Sequence, residues 1–120
     1  MQNVTLGVVE SQFADIIWEK EPISSSELVK IAEEKFSWKR TTTHTVIKRL
    51  CEKELFENTK GIVTSLVSRD DFYSMSSKQF VNESFNGHLP AFIAAFTKGR
   101  RLSPEEAEDI RKLIDEAEEK

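Results

Sequence analysis

The side chains best equipped for chemistry in this 120-residue chain lie close together: Lys39, Arg40, Thr41, Thr42, His44, Thr45, Lys48 and Arg49. Residues 37–50 hold four basic side chains and no acidic one, a local charge of +4. On a helix with Val46 at zero and about 100° per residue, Leu50 falls near 40°, Thr43 near 60° and Ile47 near 100°. Those four mark a buried side. Thr41, His44, Thr45 and Lys48 then face away from it, with Thr42 and Arg49 on the flanks and no carboxylate before Glu52. Such a face suits duplex readout. Threonine methyls meet thymine methyls, hydroxyls meet base edges, and an arginine forks onto guanine. Lys39 and Arg40, beside the free N–H groups of a helix start, suit phosphates, as does Lys60 further on. Three consecutive threonines are poor helix formers, so helix propensity does not account for them. The alternative is a solvated polar face on a module that binds proteins and reads no DNA; such a module has no need to keep the face free of acids.

Nothing else in the chain points to catalysis or a cofactor. His44, His88 and the single Cys51 are too few for a metal or nucleophile constellation, and the four glycines (7, 61, 87 and 99) form no phosphate loop. Enzyme activity and metal sites are therefore not expected. Cys51 reads as half-buried packing. Seventeen basic against 21 acidic residues leave a net charge of −4, and residues 102–120 alone contribute −5. An acidic whole with one basic stripe still suits nucleic acid, because screening confines fields to about 10 Å. No stretch is apolar enough to span a membrane, and the N-terminus has no signal pattern. With one cysteine, the expectation is a cytoplasmic protein.

The elements that must position these residues follow from periodicity. Val9, Phe13, Ile16 and Ile17 share a helical face. Ser24 and Glu27 form a capping box for a second helix carrying Leu28, Ile31, Ala32 and Phe36. The third helix covers residues 41–53. The period then changes: residues 55–59 and 62–68 read as a hairpin turning at Lys60 and Gly61. A long helix over 69–86 stops at Gly87, Pro90 opens a short one ending by Thr97, and Ser103-Pro104-Glu105-Glu106 starts the last. The fold class is mainly α with a small β-hairpin. Residues 1–68 form a winged helix-turn-helix, and residues 69–120 a helical dimerisation region. The latter has apolar faces but too few residues to close its own core, so Phe80, Phe85, Phe92, Phe96, Ile110 and Ile114 are expected to bury against a second copy.

Three segments carry a resemblance: ESQFADIIW at 10–18, TTTHTVIKRL at 41–50 with Glu52 and Lys53, and a tail of FVNESFNG at 80–87, AAF at 94–96 and LSPEE at 102–106. Together, in this order, they resemble the BlaI/MecI/CopY (penicillinase repressor) family. The resemblance implies a homodimeric transcriptional repressor that binds palindromic operator DNA through its third helix and wing. By position it assigns DNA reading to Thr41, Thr42, His44, Thr45 and Arg49, the set reached from the helix angles, to which the angles add Lys48. The chain departs from the family at four places. Glu54 stands where glycine usually ends the third helix. The wing has Val63, Thr64, Ser65 and Leu66 in place of tyrosines. Ala95-Phe96 occupies the site of the Asn-Phe bond that a membrane sensor protease cuts in β-lactam-responsive members. The cysteine cluster of copper-responsive members is missing. The operator, the regulated genes and the inducing signal are not encoded legibly.

Overall fold

The computed structural model describes residues 5–118; Glu119 and Lys120, counted in the acidic tail above, lie outside them. The elements run α1 (Val8–Lys20), β1 (Ile23–Ser24), α2 (Ser25–Phe36), α3 (Arg40–Glu52), β2 (Phe56–Thr59), β3 (Ile62–Ser65), α4 (Arg69–Phe85), α5 (Leu89–Thr97) and α6 (Pro104–Ala117). The mainly helical class with a small antiparallel sheet is the one read from the sequence. The chain divides into two compact units, Met1–Gln79 and Phe80–Lys120. Their boundary falls inside α4, beyond the limit of 68 drawn from the hairpin, because Phe72 of α4 is buried in the core of the first unit.

The first unit is a winged helix. Phe13, Ala14, Ile16 and Ile17 of α1 are buried, whereas Val9, in its first turn, is 44% exposed. The Ser24 hydroxyl accepts the Glu27 N–H (3.1 Å) and starts α2, which buries Leu28 and Ala32. α3 buries Thr43, Val46, Ile47 and Leu50, the phase expected from its sequence. Phe56 and Val63 of the hairpin complete the core with Ile23 and Leu55. The Trp18 indole N–H donates to the Val67 carbonyl (2.9 Å), tying α1 to the segment after the hairpin.

The sheet contains a strand that periodicity missed. β1 pairs antiparallel with β3, Ile23 opposite Val63, giving the order β1-β3-β2. Two residues are too short to show alternation. The hairpin turns at Lys60 (φ 53°) and Gly61 (φ 84°), a pair of left-handed residues whose twist matches the flanking strands.

α3 ends in a way the sequence did not suggest. Glu54 itself takes the left-handed conformation (φ 61°). Its N–H donates to the Cys51 carbonyl (2.9 Å) and the Leu55 N–H to the Leu50 carbonyl (3.2 Å), the paired bonds of a glycine-type helix stop. The buried side chains of Leu50 and Leu55 flank this turn and hold it in place.

The second unit stays open. Asn86 (φ 51°) and Gly87 (φ 77°) end α4. His88 Nδ1 accepts the Ala91 N–H (3.2 Å) and starts α5; the Ser103 hydroxyl accepts the Glu106 N–H (3.0 Å) and starts α6. Neither α5 nor α6 buries a single residue. Phe80, Leu89, Ile93, Phe96, Leu113 and Ile114 are all exposed.

A Cβ in the left-handed region costs about 1 kcal/mol or more. Glu54→Gly should therefore stabilise the first unit and raise Tm by about 3–6 °C in calorimetry. An unchanged or lowered Tm would show that the Glu54 turn is not strained.

Candidate nucleic-acid interface

The buried stripe of α3 fixes which side of the helix faces out. Thr41, Thr42, His44, Thr45, Lys48 and Arg49 are all exposed, so the structure brings the six sequence-selected residues onto the outward side of one helix. Thr43, the middle threonine, is fully buried, and its hydroxyl donates to the Lys39 carbonyl (3.4 Å). The Thr45 hydroxyl donates to the Thr41 carbonyl (2.9 Å). With its proton engaged, Thr45 offers outward a methyl group and oxygen lone pairs. That chemistry suits a thymine methyl or a base amino group.

The charges on this side are uncommitted. Among the described residues, Lys39, Arg40, Lys48, Arg49 and Lys60 make no ion pair; the ion pairs found involve Lys53, Arg69, Arg100 and Arg111. The start of α3 is also bare. Its N-cap, Lys39, makes no side-chain cap bond, and its first turn has no acid. Every other helix has one or both. Acids lie in the first turns of α1 (Glu10), α2 (Glu27), α4 (Asp70, Asp71) and α6 (Glu105, Glu106), while His88 caps α5. Unsatisfied N–H groups and a positive helix end remain where Lys39 and Arg40 project, an arrangement that attracts an anion. A shallow groove beside them is lined by Val29, Glu33, Ser37 and Trp38. Glu33 is its one carboxylate.

Lys60 is exposed at the hairpin tip. Of the four wing residues singled out, Val63 is buried, Thr64 and Ser65 are half-buried and Leu66 is 53% exposed. Ser65 is held from behind. The Glu21 carboxylate accepts its N–H (2.8 Å) and its hydroxyl (2.9 Å), which locks the root of the hairpin to the end of α1. The two residues are far apart in the chain, and no local pattern could have shown the contact.

Cys51 is half-buried behind the outward face and packs on the core. Burial pushes its thiol above the ordinary range, opposed by a hydrogen bond with the Asn58 backbone. This is the environment of an inert packing thiol. Among the described residues no three His, Cys, Asp or Glu side chains come together to hold a metal, and no helix is long and apolar enough to cross a membrane.

The description of the family model that matches residues 6–116 is penicillinase repressor. The chain is 25% identical to the penicillinase repressor of Staphylococcus aureus, with 96% of this chain and 94% of that protein covered. It is 28% identical to the methicillin resistance regulatory protein MecI of Staphylococcus aureus strain Mu50, and 27% identical to MecI of Mammaliicoccus sciuri. Both of those alignments cover 95% of this chain and 98% of the relative.

Proposed function

Because the chain belongs to the penicillinase repressor family, we propose that it is a homodimeric transcriptional repressor whose paired winged helices read a palindromic operator in the cytoplasm. The observation that carries the reading is the outward face of α3 from Thr41 to Arg49, six hydrogen-bonding or basic side chains with no carboxylate before Glu52 in the last turn. Thr41, Thr42, His44, Thr45, Lys48 and Arg49 read bases in the major groove. Lys39, Arg40 and the wing's Lys60 bind phosphates and set the register.

The second unit supplies the second copy. Phe80, Phe85, Phe92 and Phe96 form a chain of ring contacts with centroids 5.6–6.1 Å apart. They are only partly covered: Phe80 is 51% and Phe96 54% exposed. Phe92 and Phe96 line a groove with Ile110 of α6, and Ile114 of the same helix is exposed. An apolar surface of this kind in a charge-rich chain supports burial against a second copy. Ala95-Phe96 lies in α5, exposed, where β-lactam-responsive members are cut. A sensor protease with tolerance for alanine before the bond would separate the dimer there.

The test uses sites selected from random duplexes by the purified protein. Three phosphate contacts per chain should weaken binding about a thousandfold between 50 and 200 mM salt. A salt-independent or undetectable interaction would instead favour a protein-binding winged helix. Arg49→Ala should cost about 1–3 kcal/mol and relax preference at one base-pair position per half-site, with the dimer intact. Unchanged discrimination would remove Arg49 from the reading set. Phe96→Asp should give a monomer by sedimentation and convert tight binding to weak; a dimeric variant that binds equally would show that the tail is not the dimer face.

A further inference from the structure

Of the side chains on the outward side of α3, histidine alone is of a type that ordinarily changes its charge between pH 5 and 8. Threonine does not titrate, and lysine and arginine as residue types give up their proton only far above that range. His44 is exposed, and among the described residues its ring makes no hydrogen bond and no ion pair. One turn away on either side stand cations, Arg40 at i−4 and Lys48 at i+4. The acids on the elements packed against α3 are engaged elsewhere. Glu33 of α2 lines the groove at the start of α3 with Lys39 and Arg40. Glu52, in the last turn of α3, and Glu57 of β2 act on the Cys51 thiol, about two turns beyond His44. Glu10 of α1 lies 4.0 Å from Lys53, past the end of the helix. Among the described residues, then, no carboxylate pairs with the ring.

We infer that His44 links duplex binding to pH: it docks as the imidazolium, so acid tightens the complex and alkali loosens it. The inference rests on the operator-binding reading above. A duplex brings to this face the anions that the chain withholds from it, one phosphate charge per about 1.7 Å of helix axis. A second proton turns the ring from one donor and one acceptor into two donors with a positive charge. Both changes match what lies opposite, since guanine N7 and O6 are acceptors and phosphate oxygens are anionic acceptors. The same phosphates neutralise the Arg40 and Lys48 charges on either side of the ring. The sign follows from linkage. A proton held more tightly in the complex than in the free chain is taken up on binding. The extra affinity is complete below the pH at which the free ring protonates. It is lost as pH rises through the value at which the bound ring releases its proton. A proton held about tenfold more tightly gives about fivefold in affinity between pH 8 and pH 6 for each chain engaged.

The test uses the full chain in a His88→Asn background. His88 is the other of the two histidines, and asparagine keeps a capping side chain where its Nδ1 accepts the Ala91 N–H. Affinity for a selected duplex is measured at pH 6 and pH 8 at one salt concentration, with circular dichroism and Tm unchanged between the two. Affinity should rise about fivefold or more from pH 8 to pH 6. Mixing chain and duplex at pH 7 in weak buffer should take up about half a proton per chain. His44→Gln, polar but without a titrating ring, should lose both the rise and the uptake. His44→Lys, a fixed cation, should bind without either. A rise or an uptake that survives in His44→Gln overturns the inference, as does a parent affinity that is flat between the two pH values. A flat affinity that still falls steeply with salt leaves the operator reading standing. Absence of binding at both pH values removes that reading and the proton linkage together.

Discussion

α3 can serve as a reading helix only because its rotation about its own axis is fixed. Thr43, Val46, Ile47 and Leu50 are pinned in a core shared with α1, α2 and the hairpin. Burial of each of the three aliphatic side chains stabilises by about 1.5–3 kcal/mol. A rotation by one residue would bring His44 and Lys48 towards that core and expose Val46, at the further cost of desolvating a charge. The apolar stripe therefore decides what the outward side presents. The hairpin depends on the same stripe, because the Leu50 carbonyl closes the turn that leads from α3 into β2.

Charge placement follows a second constraint. The chain is acidic overall, yet its acids are kept away from one helix start and from the helix face that follows it, as far as Glu52 in the last turn. Elsewhere the sequence places acids where helix dipoles favour them, at the first turns of α1, α2, α4 and α6. Withholding them from α3 forgoes that stabilisation. At physiological salt the field of a charge fades over about 8 Å, so only the arrangement near the helix matters to a ligand lying on it. The net charge of −4 therefore says little about what α3 binds.

Much of this was legible from local pattern. The stripe on α3, the serine caps at Ser24 and Ser103, Pro90 in the first turn of α5 and the Lys60-Gly61 turn are each decided by neighbours within a few residues, and each stands where the sequence put it. What escaped is decided across the fold. β1 is a strand only because β3 lies beside it. Glu54 is left-handed because the packing on either side leaves the turn no other course, and the local preference against it is outweighed. The Glu21–Ser65 lock and the hydrogen bond from the Tyr73 hydroxyl to the Asp15 carboxylate join residues more than forty positions apart. The end of the first unit was placed at the hairpin because Phe72 reads locally as one more apolar residue of a long helix.

If the outward side of α3 lies against a polyanion, an added carboxylate at Thr45 must weaken the complex. Affinity for a selected operator is compared for the wild type, Thr45→Gln and Thr45→Glu, each with unchanged circular dichroism and Tm. Glutamine has nearly the size of glutamate without the charge. Thr45→Glu should bind at least about tenfold more weakly than Thr45→Gln, because like charges set against each other cost several kcal/mol. Equal affinity for the two variants, at or near the wild-type value, would contradict it.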